Sequence, residues 1–193
     1  MRSLAAERPD RRLTADDMRL MIHTSQLETV VSQIEGVVMT AARRSGVVGP
    51  TDGEVLRAGP VLHRVIEDGR TTDGRLGLVE CRMPGGWPGP PQHVHRAHDE
   101  TFFVLTGRVR VTSGVDTHVL PVGGLFAAAI GTPHTFGNAD PDEPASLLLT
   151  VTPERYVGYF RDLQQLRPRP DGLLDPAEIH ALMSRYATVP YPA

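Results

Sequence analysis

An all-β fold, closed as a barrel or jelly roll, is predicted by three observations on this 193-residue chain. From residue 47 onward, short apolar segments recur between Gly, Pro and Asp breaks, at 61–66, 76–83, 101–105, 109–113, 118–122, 125–130, 134–138 and 146–151. Their apolar residues alternate with period two, as where Val79, Cys81 and Met83 share one face, which is the signature of a strand with one buried side. Eight or more strands so short and closely spaced bury their faces best by closing on themselves or stacking as two sheets. Helical patterns flank this stretch, giving an extension over 1–46, a barrel over 47–152 and a C-terminal helical segment over 153–193.

In the extension, Leu27, Val30, Val31, Ile34, Val37 and Val38 follow helical spacing, Ser25 and Glu28 form a capping box, and Gly46 supplies a stop. A shorter helix is expected to begin at Thr14. The extension carries no chemical motif and reads as a cover for the barrel or for a second subunit, with a domain start at Met39 as the alternative. Within the barrel, Gly107 and Gly114 suit tight turns that need positive φ. After residue 151 the period returns to helix: Thr152 is expected to cap a helix with Pro153 in its first turn. Asp175, Pro176 and Glu178 repeat that arrangement before Ile179, Leu182, Met183 and Tyr186, and 167–172 reads as the linker between the two helices.

A chain of this length supports one well-buried domain, with about 70% of its unfolded surface removed on folding. The net charge of −3 gives no basic surplus for nucleic acid or an anionic membrane. All 20 basic residues are Arg, which reads as a coding bias. The lone Cys81 cannot form an intrachain disulfide, and no segment has a signal-peptide core or an apolar run near membrane-spanning length, so a reducing, cytoplasmic setting is expected. Cys81 itself reads as a small buried apolar residue, because no basic neighbour in sequence would activate its thiol.

The chemistry concentrates in His93-Val94-His95, Glu100 and, downstream, His134. Residues two apart on a strand project to the same side, so both imidazoles of the His-x-His can face inward, whereas a helix would part them by about 200°. Neutral imidazole and carboxylate suit first-row divalent metals, so three nitrogens and one oxygen form a plausible complete protein contribution. A lone His would read as a surface residue, but His93, His95 and Glu100 fall within eight residues beside the strand-like 101–105. His98 shares parity with Glu100, yet the polar stretch 96–99 reads as loop and leaves it outside the expected site. His23, His63, His118 and His180 lie outside the motifs and read as surface or structural residues.

Gly86, His93, His95, Glu100 and Gly107 resemble the first sequence motif of the cupins, with six residues between Gly86 and His93 where the family has five. Gly123, Gly131, His134 and Asn138 resemble the second, although Ala129 stands where the family usually has Pro. The stretches 89–95, 132–136 and 152–160 look most like single-domain quercetin-dioxygenase-like cupins, and the resemblance covers about residues 50–190. It implies a double-stranded β-helix whose interior gathers His93, His95, Glu100 and His134 around one divalent metal: Fe, Ni, Co, Mn, Cu or Zn.

The activity implied is that of a metal-dependent oxygenase acting with O2 on a hydroxylated aromatic or enolisable small molecule, with Glu100 as the general base. Phe102 and Val104 share parity with Glu100, and Phe136 with His134, so these are expected to line a flat apolar pocket; ordinary barrel packing competes, and is favoured for Val104. Trp87 is a candidate for the pocket mouth. A redox-neutral cyclase or isomerase and a non-catalytic binding protein are the alternatives, and one fold hosts all three. Related cupins commonly pair, so a homodimer is expected, with no nucleic-acid or membrane partner.

Overall fold

The computed structural model describes residues 46–191, and the helical extension expected before the barrel lies outside the described residues. Ten strands run in order before the C-terminal helices: β1 Glu54–Ala58, β2 Val61–Asp68, β3 Gly77–Met83, β4 His93–His95, β5 Asp99–Thr106, β6 Val109–Ser113, β7 Asp116–Leu120, β8 Leu125–Ala128, β9 Pro133–Asn138 and β10 Ala145–Thr152. Then come α1 Val157–Leu163, α2 Pro176–Ser184 and a last strand, β11 Thr188–Pro190. One sheet has the order β1-β2-β3-β10-β5-β8 and the other β11-β4-β9-β6-β7, every pairing antiparallel. Long-range neighbours such as β3–β10 and β4–β9 give the two-sheet jelly roll that the segment pattern predicts.

The alternation read in the sequence decides which side chains enter the core. On β3, Val79, Cys81 and Met83 face inward, and on β10 Leu149, Leu147 and Ala145 lie opposite them. Burying each such side chain contributes about 1.5–3 kcal/mol. Cys81 is buried as expected, and burial pushes its thiol pKa upward, away from nucleophilic reactivity. Gly107 turns the chain from β5 to β6 at φ +69°, where a Cβ would lie 2.7 Å from the Pro144 carbonyl oxygen.

Several boundaries differ from expectation for local reasons. The hairpin between β6 and β7 pairs Ser113 with Asp116 across two residues, so β7 starts at Asp116 instead of 118. β8 stops at Ala128 because the Thr132 N–H bonds to the Ala129 carbonyl and the Ile130 N–H to Asp99 Oδ1, closing a turn at 129–132. Thr152 does not cap a helix: it is the last residue of β10, and α1 starts after a 3-10 turn, Glu154–Tyr156, with no side-chain cap. Asp175 does cap, accepting from the N–H groups of Ala177 and Glu178, with Pro176 at the first helical position. The segment after 152 is not wholly helical, since β11 pairs with β4 and places Thr188 opposite His95. No helix among the described residues is long and apolar enough to cross a membrane.

Candidate metal centre

Three strands deliver the cluster. His93 and His95 enter from β4, Glu100 from β5 and His134 from β9, where His93 and His134 are direct cross-strand partners. All four are buried, and their ligand atoms lie within 4.8 Å of one another. Glu100 Oε2 stands 2.9 Å from His95 Nε2 and 3.0 Å from His134 Nε2.

The other nitrogen of each ring decides what these contacts mean. His93 Nδ1–H donates to the Pro91 carbonyl at 2.9 Å, and His134 Nδ1–H to the Thr132 carbonyl at 2.9 Å. His95 Nδ1 meets the Thr188 hydroxyl at 2.8 Å; that hydroxyl donates onward to the Tyr186 carbonyl and so accepts from the ring. Carbonyl oxygens only accept, so each neutral ring carries its proton on Nδ1 and aims an Nε2 lone pair inward. Two such lone pairs set against an anionic carboxylate oxygen repel unless a proton or a cation is shared between them.

The pKa directions follow that pull on a proton. Burial drives the Glu100 carboxyl upward, but the charge of His95 and hydrogen bonds from both rings outweigh it and hold the acid well below the usual carboxylate range. Burial lowers His134, yet its bond to Glu100 brings the imidazole above its ordinary value. His93 is held down to about 3, by burial foremost and then by the neighbouring imidazoles. A divalent cation satisfies all four groups without burying several imidazolium charges. The donor set and its orientation fit one metal ion.

A cavity of about 350 Å³ reaches this cluster. Of the four, His93 and Glu100 line it, so a molecule in the cavity approaches from their side. Its walls are mostly apolar, with Val61, Leu149, Phe136 and Phe160 among them, and also carry Tyr156, Tyr159 and Arg169. The loop carrying Trp87 closes over β9: Gly89 holds φ +93° where a Cβ would strike the Phe136 carbonyl oxygen, and Trp87 meets the Phe136 ring edge-on at 5.6 Å. Trp87 and Phe136 therefore lie on the cavity wall.

Phe102 and Val104 do not. Both are buried in the packed core; Phe102 lies between Phe126 and Phe136, at 6.0 and 4.7 Å, so aromatic packing occupies the space that parity alone assigned to a pocket. His98 departs from expectation in the other direction. It does sit in the β4–β5 loop, but its ring is buried and lies tilted against His95 at 3.9 Å and Tyr156 at 4.4 Å. Burial, then the His95 charge, brings His98 to about 4.

The profile of the Cupin domain family matches residues 79–151, which span β3 to β10 and contain all four cluster residues. The barrel is a cupin domain. A solved structure of a predicted oxalate decarboxylase from Thermotoga maritima superposes on 55% of this chain and 98% of its own, with TM-score 0.51 at 13% identity. KdgF from Halomonas sp. covers 56% of this chain and 94% of its own, with TM-score 0.49 at 16% identity. Such likeness describes the fold alone. In sequence, the chain is 30% identical over 86 residues to the quercetin 2,3-dioxygenase of Bacillus subtilis (strain 168), covering 44% of this chain and 25% of that protein. The match thus spans a quarter of that relative's length.

Sequence reasoning passed over Thr188, Tyr156, Tyr159 and His63, which line the cavity or support the cluster. His63 had a usable signal, an inward parity shared with Val61 and Val65 on β2. Thr188 had none, because its contact with His95 depends on a three-residue edge strand far along the chain.

Proposed function

We propose that this cupin is a metal-dependent oxygenase acting on a hydroxylated aromatic or enolisable small molecule. The observation that carries the reading is the junction of an apolar cavity with the metal cluster at His93 and Glu100. Pockets of a few hundred Å³ with apolar walls and few polar groups suit flat organic ligands. The partial likeness to a quercetin 2,3-dioxygenase supports the same substrate class.

A divalent transition metal bound here supplies Lewis acidity toward a substrate oxygen and a centre at which substrate and O2 meet. The chain's own residues set the rest. Glu100 faces the cavity as a carboxylate and accepts the proton of a substrate hydroxyl. The contacts that keep Glu100 ionised also make it a weak base, so it suits acidic phenols and enols better than alcohols. Val61, Leu149 and Phe136 exclude water from the bound face of the substrate, and Trp87 with the loop 84–91 covers its edge.

Oxygen uptake by metal-loaded protein tests the reading, with quercetin as the probe. The expected result is consumption that requires both metal and quercetin, and that falls at least about 100-fold in Glu100→Gln. Conversion of quercetin at an unchanged rate without oxygen would instead favour redox-neutral chemistry at the same cluster.

A further inference from the structure

Besides the cluster residues His93 and Glu100, and Tyr156, Tyr159 and Arg169, the cavity wall carries one further polar side chain, His63. His63 lies on β2, is 4% exposed, and packs its ring against Phe160 of α1 at 4.9 Å. Its Nδ1 is buried without a hydrogen-bond partner among the described residues, although the ring lines the cavity. A buried polar nitrogen left unpaired costs about 1–3 kcal/mol, so its retention on a mostly apolar wall calls for a use.

The pairing register places it. His63 is opposite Cys81, Cys81 opposite Leu147, and Leu147 opposite Val104, two inward positions along β5 from Glu100. That is three strand spacings of about 4.8 Å and four residues of about 3.3 Å across the curved wall. The two residues are therefore well separated along the wall of the cavity that both line, and a molecule touching both spans much of it.

We propose that His63 recognises a hydroxyl or carbonyl group at the end of the substrate remote from the metal cluster. The inference rests on the oxygenase reading for its choice of ligand, a flat polycyclic phenol with polar groups at both ends. Burial holds the His63 imidazole at about 4, so it is neutral near pH 7 and offers one donor and one acceptor. It therefore offers a hydrogen bond to a neutral group and brings no charge of its own. His63 is a specificity residue: it binds the far ring and takes no part in bond making at the cluster.

The test compares binding of two flavonols to metal-loaded protein under anaerobic conditions, read by absorbance, so that no turnover is needed. Quercetin carries hydroxyls on its outer rings; 3-hydroxyflavone keeps the hydroxyl-ketone pair but lacks them. Wild-type protein is expected to prefer quercetin by about tenfold, and His63→Phe to erase that preference while binding 3-hydroxyflavone as before. His63→Asn, which carries an amide atom near the position of Nδ1, is expected to retain it. His63→Phe should also melt no lower than wild type, because it removes an unpaired nitrogen and keeps a ring against Phe160. A preference unchanged in His63→Phe, or a lowered midpoint with both flavonols weakened equally, would overturn the proposal. Preference lost in His63→Phe without any oxygen uptake by wild type would sink the oxygenase reading and leave His63 in its role.

Discussion

On the second sheet, His93 and His134 each donate Nδ1–H to a fixed carbonyl, while His95 donates to the Thr188 hydroxyl, and all three bring Nε2 to one point. On the first sheet, His63 enters the same interior from an equivalent inward position, yet its Nδ1 meets no acceptor among the described residues. Burial is alike in the two regions. The difference is the built acceptor, which fixes a tautomer and orients a ring for a cation in one case and is missing behind the ring among the described residues in the other. Inward parity says that a histidine is inside the barrel, and the atom behind its ring says what it is for.

Removing a cluster ring should have the largest effect. His93→Ala, His95→Ala and His134→Ala are each expected to lower metal affinity by more than about 100-fold, beyond the loss typical of a supporting group, with circular dichroism showing the barrel intact. Stoichiometric metal in His93→Ala and His95→Ala, measured by elemental analysis, would put the ion elsewhere. A core substitution should do the reverse. Phe102→Ala is expected to cost about 3–5 kcal/mol in urea unfolding, since it empties a space packed by Phe126 and Phe136. A cost near zero would return Phe102 to the cavity wall.

Much of the cluster was legible because its grammar is local. His93 and His95 share a face by spacing alone, Glu100 follows on the next strand, and the second motif marks His134. The pocket was less legible, because parity distinguishes inside from outside but not filled from open. Phe102 and Phe136 both point inward, and only the packing of Phe126 from β8 and of α1 and α2 from the far end of the chain decides which of them meets the cavity. The same long-range packing hid His63, whose wall is completed by Phe160. Edge strand β11 escaped detection because it has three residues and ends at Pro190, and β1 because only Leu56 and Ala58 on it are buried.

Smaller changes sharpen the contrast between the two regions. Thr188→Val keeps the shape of the side chain but removes the acceptor behind His95, and should weaken metal binding by about 10–100-fold without abolishing it. An unchanged affinity in competition with a chelator would deny the hydroxyl any orienting role. For His63 the folded pKa of about 4 lies below the ordinary 6.5, so between these values the unfolded chain binds more protons. Its contribution to stability is complete above pH 6.5 and is lost as pH falls toward 4, by roughly 3 kcal/mol at most. His63→Phe should flatten the wild-type loss of unfolding free energy over that window, and parallel pH curves for the two proteins would contradict the burial of a neutral ring.

The most direct measurement of the central claim is isotopic. Metal-loaded protein turning over quercetin under labelled O2 is expected to place label in the product, to stop under strict anaerobiosis, and to lose both behaviours in Glu100→Gln while metal is retained. Undiminished conversion without oxygen, with no label incorporated in air, would contradict it and leave the cluster to redox-neutral chemistry.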